Sequence, residues 1–334
     1  MTPDFSEWGE HGVGVIFDLP LALIELLFNI DDIRNIYLLR HFLNFTIFFI
    51  SIYFFYLIIK KRFNSWFFAI FASALLFFTP RIFAQSFYNS KDIIFLSFFV
   101  ISIYYSLSFL DKKNYKNAIK LSFFTALAID VRILGVVLPL LVISFYLLNI
   151  FESKNFEKKN IKPLVIYILL LPVLVILFYP YLWEAPLQNF INVFKDLSQH
   201  NVDVYNFYLG KFVYANDIPW HYPFVWFFVS TPILYIVPFF LAFFYMIYNF
   251  LKRINEIEKN NKNENLWKNN NEMFDLFFLL IFISPIIPII LIGSTLYDGW
   301  RHLYFIYPCF LIISLYGFDL IKKKIFKDKI NYFY

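Results

Sequence analysis

The chain has 334 residues, 60% of them hydrophobic and 16% charged, with a mean hydropathy of +0.62. Soluble domains sit near 45–50% apolar, so a soluble globular protein is excluded. The net charge of +5 is small, and the cations follow membrane sidedness instead of forming a basic stripe, so no nucleic-acid partner is expected.

Apolar runs recur along the whole length, separated by short charged segments. The class is an all-α polytopic membrane protein with about nine transmembrane helices, several of them short, in a single transmembrane domain spanning residues 1–334. The one cysteine, Cys309, lies inside an apolar run, which excludes an intramolecular disulfide and suits a buried, inert thiol. Met1–His11 is acidic and lacks the apolar core of a signal peptide.

Val13–Ile30 is apolar but carries Asp18, Pro20 and Glu25. The two carboxylates are seven residues apart and share one helical face, which predicts a helix lying at the interface within an outer segment, residues 1–37. Asp31 is the expected cap of the next helix, a span over Leu38–Ile59 that ends on Lys60-Lys61-Arg62. Trp66–Thr79 returns and is short for a hydrocarbon core of roughly 30 Å. Ile93–Leu110 then crosses to a basic segment.

A single helix over Asn117–Ile150 would be about 51 Å long, and a single span would put one of its two basic flanks outside. Two short helices turning near Asp130–Gly135 satisfy both constraints and keep Asp130 and Arg132 out of the bilayer centre. Pro163–Tyr179 is the next span. A long outer loop follows over residues 180–222, with a surface helix predicted at Leu187–Gln199. Spans over Pro223–Phe250, Leu276–Ile292 and Leu303–Leu320 complete the chain, and the Asn/Lys/Glu-rich inner loop 251–271 reads as disordered.

With this topology 21 of the 29 Lys and Arg are inside. That bias orients the C-terminus to the cytoplasm and the N-terminus outside. The eight outer cations are Arg34, Arg40, Arg81, Lys91, Arg132, Lys195, Lys211 and Arg301. Arg81, Arg132 and Arg301 sit at span ends beside a carboxylate or histidine. The bland account is an interface anchor or an ion pair with Asp92, Asp130 or Asp298. Their convergence on one face also suits a lipid phosphate, which takes strong charge-assisted bonds in a partly dry site. Asp217, Trp220 and His221 combine a carboxylate, an aromatic face and an imidazole, a set able to hold a sugar; Trp220 and Tyr222 are equally ordinary as interface aromatics. No pair of the five histidines has metal-ligand spacing, so no metal residue is assigned.

Four stretches carry a resemblance: Pro80–Asp92, Ala126–Gly135, Asn216–Tyr222 and Tyr297–His302. Through them the chain resembles the GT-C superfamily of polytopic glycosyltransferases, and is most similar to bacterial relatives of the dolichyl-phosphate-mannose–protein mannosyltransferases. The resemblance implies a GT-C fold with interfacial helices on the outer face. It implies transfer of a sugar from a polyprenyl phosphate to a protein, lipid or glycan acceptor, with inversion at the anomeric carbon. The site would face the periplasm from a bacterial inner membrane. Arg81, Lys91, Arg132 and Arg301 would bind the donor phosphate, and Asp217, Trp220, His221, Tyr297, Asp298 and His302 the sugar or acceptor. Asp92 and Asp298 would orient the cations or hold a divalent metal; no other cofactor is implied.

The family's first span and the acidic motif after it have no counterpart here, so the chain is expected to begin inside the first outer loop. Asp4, Glu7, Glu10 and Asp92 are the candidate bases. A truncated, inactive relative and a transporter or flippase for a lipid-linked or anionic substrate are the alternatives.

Overall fold

A computed structural model describes residues 14–153, 158–198, 203–260 and 266–325. The first helix, α1 (Asp18–Leu27), leaves Leu19, Leu23, Leu26 and Leu27 exposed. Its acidic face is real: Arg40 of α2 (Ile33–Phe63) reaches Glu25 at 2.7 Å and Asp18 at 3.7 Å. The cap of α2 is Asp32, not Asp31, because Asp32 has the extended backbone that lets its carboxylate accept the Arg34 N–H. Beyond Lys60-Lys61-Arg62 the helix stops on Asn64 in the left-handed region.

Ser65 caps the 12-residue α3 (Trp66–Phe77), Pro80 opens the short α4 (Pro80–Gln85), and α5 (Asp92–Asp111) runs back. The expected break in the following apolar run is present. α6 (Tyr115–Val131) ends at Arg132, a tight 3-10 turn covers Ile133–Val136, and α7 (Val137–Ser153) returns. Gly135 makes the turn possible: a Cβ there would lie 3.0 Å from the Ile129 backbone nitrogen. The return of α7 shows in its far end, where Tyr146 stacks on Phe109 at the end of α5. α8 (Lys158–Phe178) follows and packs along α6.

The stretch 180–222 holds a helix where one was expected at Leu187–Gln199, α9 (Pro186–Ser198), and then an antiparallel hairpin of β1 (Tyr205–Tyr208) and β2 (Lys211–Tyr214). The hairpin is an addition to the sequence-based expectation. Two expected single spans are each two helices. Thr231 is held extended before Pro232, which separates α10 (Tyr222–Ser230) from α11 (Ile233–Asn260). Between α12 (Asn270–Ile283) and α13 (Ile286–Ile292) Ser284 and Pro285 keep right-handed helical backbone, so this junction has no extended break. The expected disordered stretch 251–271 differs as well: α11 continues to Asn260, and Trp267 is buried against Phe145. A 3-10 turn over Arg301–Ile306 then leads into α14 (Tyr307–Ile325).

Among the described residues, seven helical stretches are long and apolar enough to cross a membrane. The expected nine are reached only by counting α3 and the 17-residue α6, both shorter. α5 and α14 are the most enclosed of the seven. At one end of the bundle Lys61 pairs with Asp111 at 3.0 Å and Arg62 pairs with Asp275 through two bonds of 2.5 Å. This basic end also holds Lys60 and Lys112. Asp92, Arg132, Asp298 and Arg301 meet at the opposite end.

Candidate functional site

The site assembles from three chain segments at the end opposite the lysines. Asn89 starts it. Its side-chain oxygen accepts the N–H groups of Lys91 (3.2 Å) and Asp92 (2.8 Å), so it caps α5 in place of the residue before the helix. Its amide donates to Gln85 at 2.6 Å and to an Asp92 carboxylate oxygen at 3.0 Å. Asp92 is therefore fixed in the first turn of α5, where the helix dipole favours an anion, and is only 3% exposed. The other end of this loop is tied to α2, since the Asn44 amide donates to the Ser86 carbonyl at 2.8 Å.

Two arginines meet that buried carboxylate. Arg132, at the end of α6, pairs with one Asp92 oxygen, and the Arg301 Nε lies 3.8 Å from the other. Arg301 also faces Asp298 at 3.6 Å and lies over the Tyr297 ring at 4.5 Å. Arg81 closes the set from α4, donating to both the carbonyl and the carboxylate of Asp298 at 2.8 Å. Among the described residues, three guanidinium groups thus share two carboxylates, leaving one positive charge in excess. The buried Nε atoms of Arg132 and Arg301 have no hydrogen-bond acceptor among the described residues. An oxyanion brought to this cluster would meet charge and unused donors together.

The loop that presents Asp298 is held by the hairpin. Asn206 on β1 accepts the Asp298 N–H at 3.2 Å and donates to the Leu296 carbonyl at 3.3 Å. The Tyr222 hydroxyl donates to Asn206 at 3.1 Å and accepts the Gly299 N–H at 3.1 Å. Burial pushes the Tyr222 phenol up, which keeps its proton available for that bond. Asp298 and Gly299 both have positive φ, 56° and 70°. The glycine is required by space as well, because a Cβ would come within 2.5 Å of the Arg81 Nη1. Trp300 anchors the next turn, fully buried, with its ring nitrogen donating to Ser230 at 2.6 Å.

Of the expected residues, Arg81, Asp92, Arg132, Asp298 and Arg301 come together. Lys91 adjoins the cluster through its backbone at the start of α5. Tyr297 and His302 form an edge-on pair at 4.8 Å beside Arg301. Asp217 and Trp220 are exposed, and His221 lies against the rings of Tyr208 and Trp220. Asp130 is not the partner of Arg132. It is wholly buried, its carboxylate accepts the Ile16 N–H at 2.9 Å, and its carbonyl accepts the Gly14 N–H at 2.7 Å. Asp4, Glu7 and Glu10 lie outside the described residues.

As a base Asp92 is poorly placed, since Arg132, Arg301 and Asn89 occupy its oxygens. The same neighbours make it a poor metal ligand. Among the described residues no three His, Cys, Asp or Glu side chains gather as a metal-binding group. Asn89, Asn206 and Tyr222 were not singled out from the sequence for the site; the one available signal was Asn89 placed three residues before Asp92, a capping spacing.

Residues 20–183 match the family model described as dolichyl-phosphate-mannose-protein mannosyltransferase. The match covers just under half of the chain and contains Arg81, Asp92 and Arg132; Asp298 and Arg301 lie beyond it. No curated protein and no solved structure matches the chain. The likeness over residues 20–183 is to a mannosyltransferase family, and the seven long apolar helical stretches among the described residues are those of a membrane protein.

Proposed function

We propose that the chain transfers a sugar from a polyprenyl phosphate to an acceptor at the extracytoplasmic face of a bacterial inner membrane. The observation that carries this is the excess positive charge where Arg81, Arg132 and Arg301 share Asp92 and Asp298. In the reaction an acceptor hydroxyl attacks the anomeric carbon while the bond to the phosphate oxygen breaks, with inversion. The phosphate leaves with the electron pair, and its growing charge is met by the guanidinium groups. The hydroxyl proton goes to a carboxylate base. Asp92 and Asp298 hold the arginines; Asp4, Glu7 and Glu10, the other candidates from the sequence, lie outside the described residues. Gly14 and Ile16 donate their N–H groups to Asp130, two residues before Arg132. In this reading the sugar meets Tyr297 and His302, the ring pair beside Arg301.

The transporter alternative requires polar groups through the bundle. The buried hydroxyls of Ser97, Ser102, Ser106 and Ser122 instead donate to carbonyls four residues back in their own helices.

The test is binding of a polyprenyl phosphate to the purified protein in detergent. Losing one charged partner of a phosphate costs about 1.5–3 kcal/mol, so Arg81→Ala and Arg301→Ala should each weaken binding at least about tenfold. Lys195→Ala, on exposed α9, should not. Equal behaviour of all three variants would overturn the proposal.

A further inference from the structure

The basic end of the bundle has a groove of its own, remote from the arginine cluster. It opens between the ends of α2, α5 and α6, has a volume of about 470 Å³, and is lined by Leu57, Lys60, Lys61, Tyr104, Asp111 and Lys112, together with Ser108 and Asn117. Its charges do not cancel. Both oxygens of the single carboxylate are taken, one by Lys61 at 3.0 Å and the other by the Asn270 amide at 3.0 Å. Lys61 is further fixed by the Leu107 carbonyl at 3.4 Å. The lining is preformed as well, since the Asn117 amide bridges the carbonyls of Ser108 (2.8 Å) and Lys112 (3.0 Å). Lys60 and Lys112 are exposed at the rim, so three ammonium groups face one neutralised carboxylate.

Toward the bundle middle the groove is apolar. Leu57 and Tyr104 form its wall, Tyr104 packs edge-on against Phe54 at 5.3 Å, and Tyr53 is exposed on the same helix as Leu57. Cations above an aromatic and aliphatic wall, at the end of spanning helices, match the two halves of a phospholipid: an anionic headgroup and an acyl chain.

We propose that this groove binds the phosphate of an anionic phospholipid from the leaflet at the basic end of the bundle. The apolar wall favours a lipid over free phosphate, which would leave Leu57 and Tyr104 in water. The site is independent of the transferase reading, because none of its residues belongs to the arginine cluster.

Titration of the full chain in detergent, followed by native mass spectrometry, tests it with phosphatidylglycerol, phosphatidylcholine and inorganic phosphate. Each lysine near an anionic headgroup contributes about fivefold in affinity. Lys60→Gln with Lys112→Gln should therefore weaken phosphatidylglycerol binding at least about tenfold and leave phosphatidylcholine unchanged. The control, Lys252→Gln with Lys268→Gln, removes the same charge elsewhere on that end and should have no effect. Leu57→Trp narrows the groove with every charge in place and should also weaken phosphatidylglycerol binding. Equal loss in the lysine pair and its control would reduce the effect to diffuse attraction and overturn the site. Unchanged affinity in Leu57→Trp, or displacement of the lipid by an equal concentration of inorganic phosphate, would overturn the lipid assignment.

Discussion

Arg132 at the end of α6 pairs with Asp92 in the first turn of α5, not with Asp130 two residues away in α6 itself. The pair joins the helical hairpin to the α4–α5 loop, with Asp92 3% exposed and the Arg132 side chain 15% exposed. Removing one partner of a buried pair typically costs about 3–5 kcal/mol, because the other charge stays behind. Asp92→Ala and Arg132→Ala should each be strongly destabilising, and the double variant should cost less than their sum by at least about 1 kcal/mol. Unfolding in mixed micelles measures the cycle; strict additivity would show that the two groups are not coupled.

Gly299 stands against Arg81, while Gly293 has a similar positive φ of 68° with open space around it. Either glycine replaced by alanine should lose about 1–2 kcal/mol to backbone strain. Only Gly299→Ala should also dislodge Arg81 from Asp298 and weaken polyprenyl-phosphate binding as Arg81→Ala does. If Gly293→Ala weakens binding equally, the effect is strain in the loop and not the position of Arg81.

The contact between Asp130 and the entering chain gives a third expectation. Asp130→Ala leaves the Ile16 N–H without its acceptor at a cost of about 1–3 kcal/mol, whereas Asp130→Asn retains an oxygen and should cost less. Gly14 lies so close to the Asp130 carboxylate that Gly14→Ala should mimic Asp130→Ala. Amide hydrogen exchange at Ile16 reads this directly. Exchange that is slow in all three variants would mean that the segment is held by something else.

Orientation is tested with single cysteines in a Cys309→Ala background. Asn206 is 6% exposed and bound to Tyr222, so the reporter for the hairpin is Lys211, which is exposed. Lys252 serves for the basic end. An impermeant thiol reagent added to intact cells should label the Lys211 site and spare the Lys252 site; the reverse pattern would place the arginine cluster in the cytoplasm.

Much of this was legible in the residues themselves. Hydropathy and charge dictated a helical membrane bundle, and the two basic flanks of Asn117–Ile150 demanded the turn at Asp130–Gly135. The seven-residue spacing of Asp18 and Glu25 placed both on one face, which Arg40 meets. These are local facts of period, length and solvation, written in neighbouring residues. Partner choice was not. Asp92 lies 40 residues before Arg132 and 209 before Arg301 in the chain, and no local pattern says which carboxylate each arginine will find. That choice depends on which helix ends pack side by side, so only the tertiary structure could separate Asp130, a backbone anchor, from Asp92, the carboxylate around which the site is built.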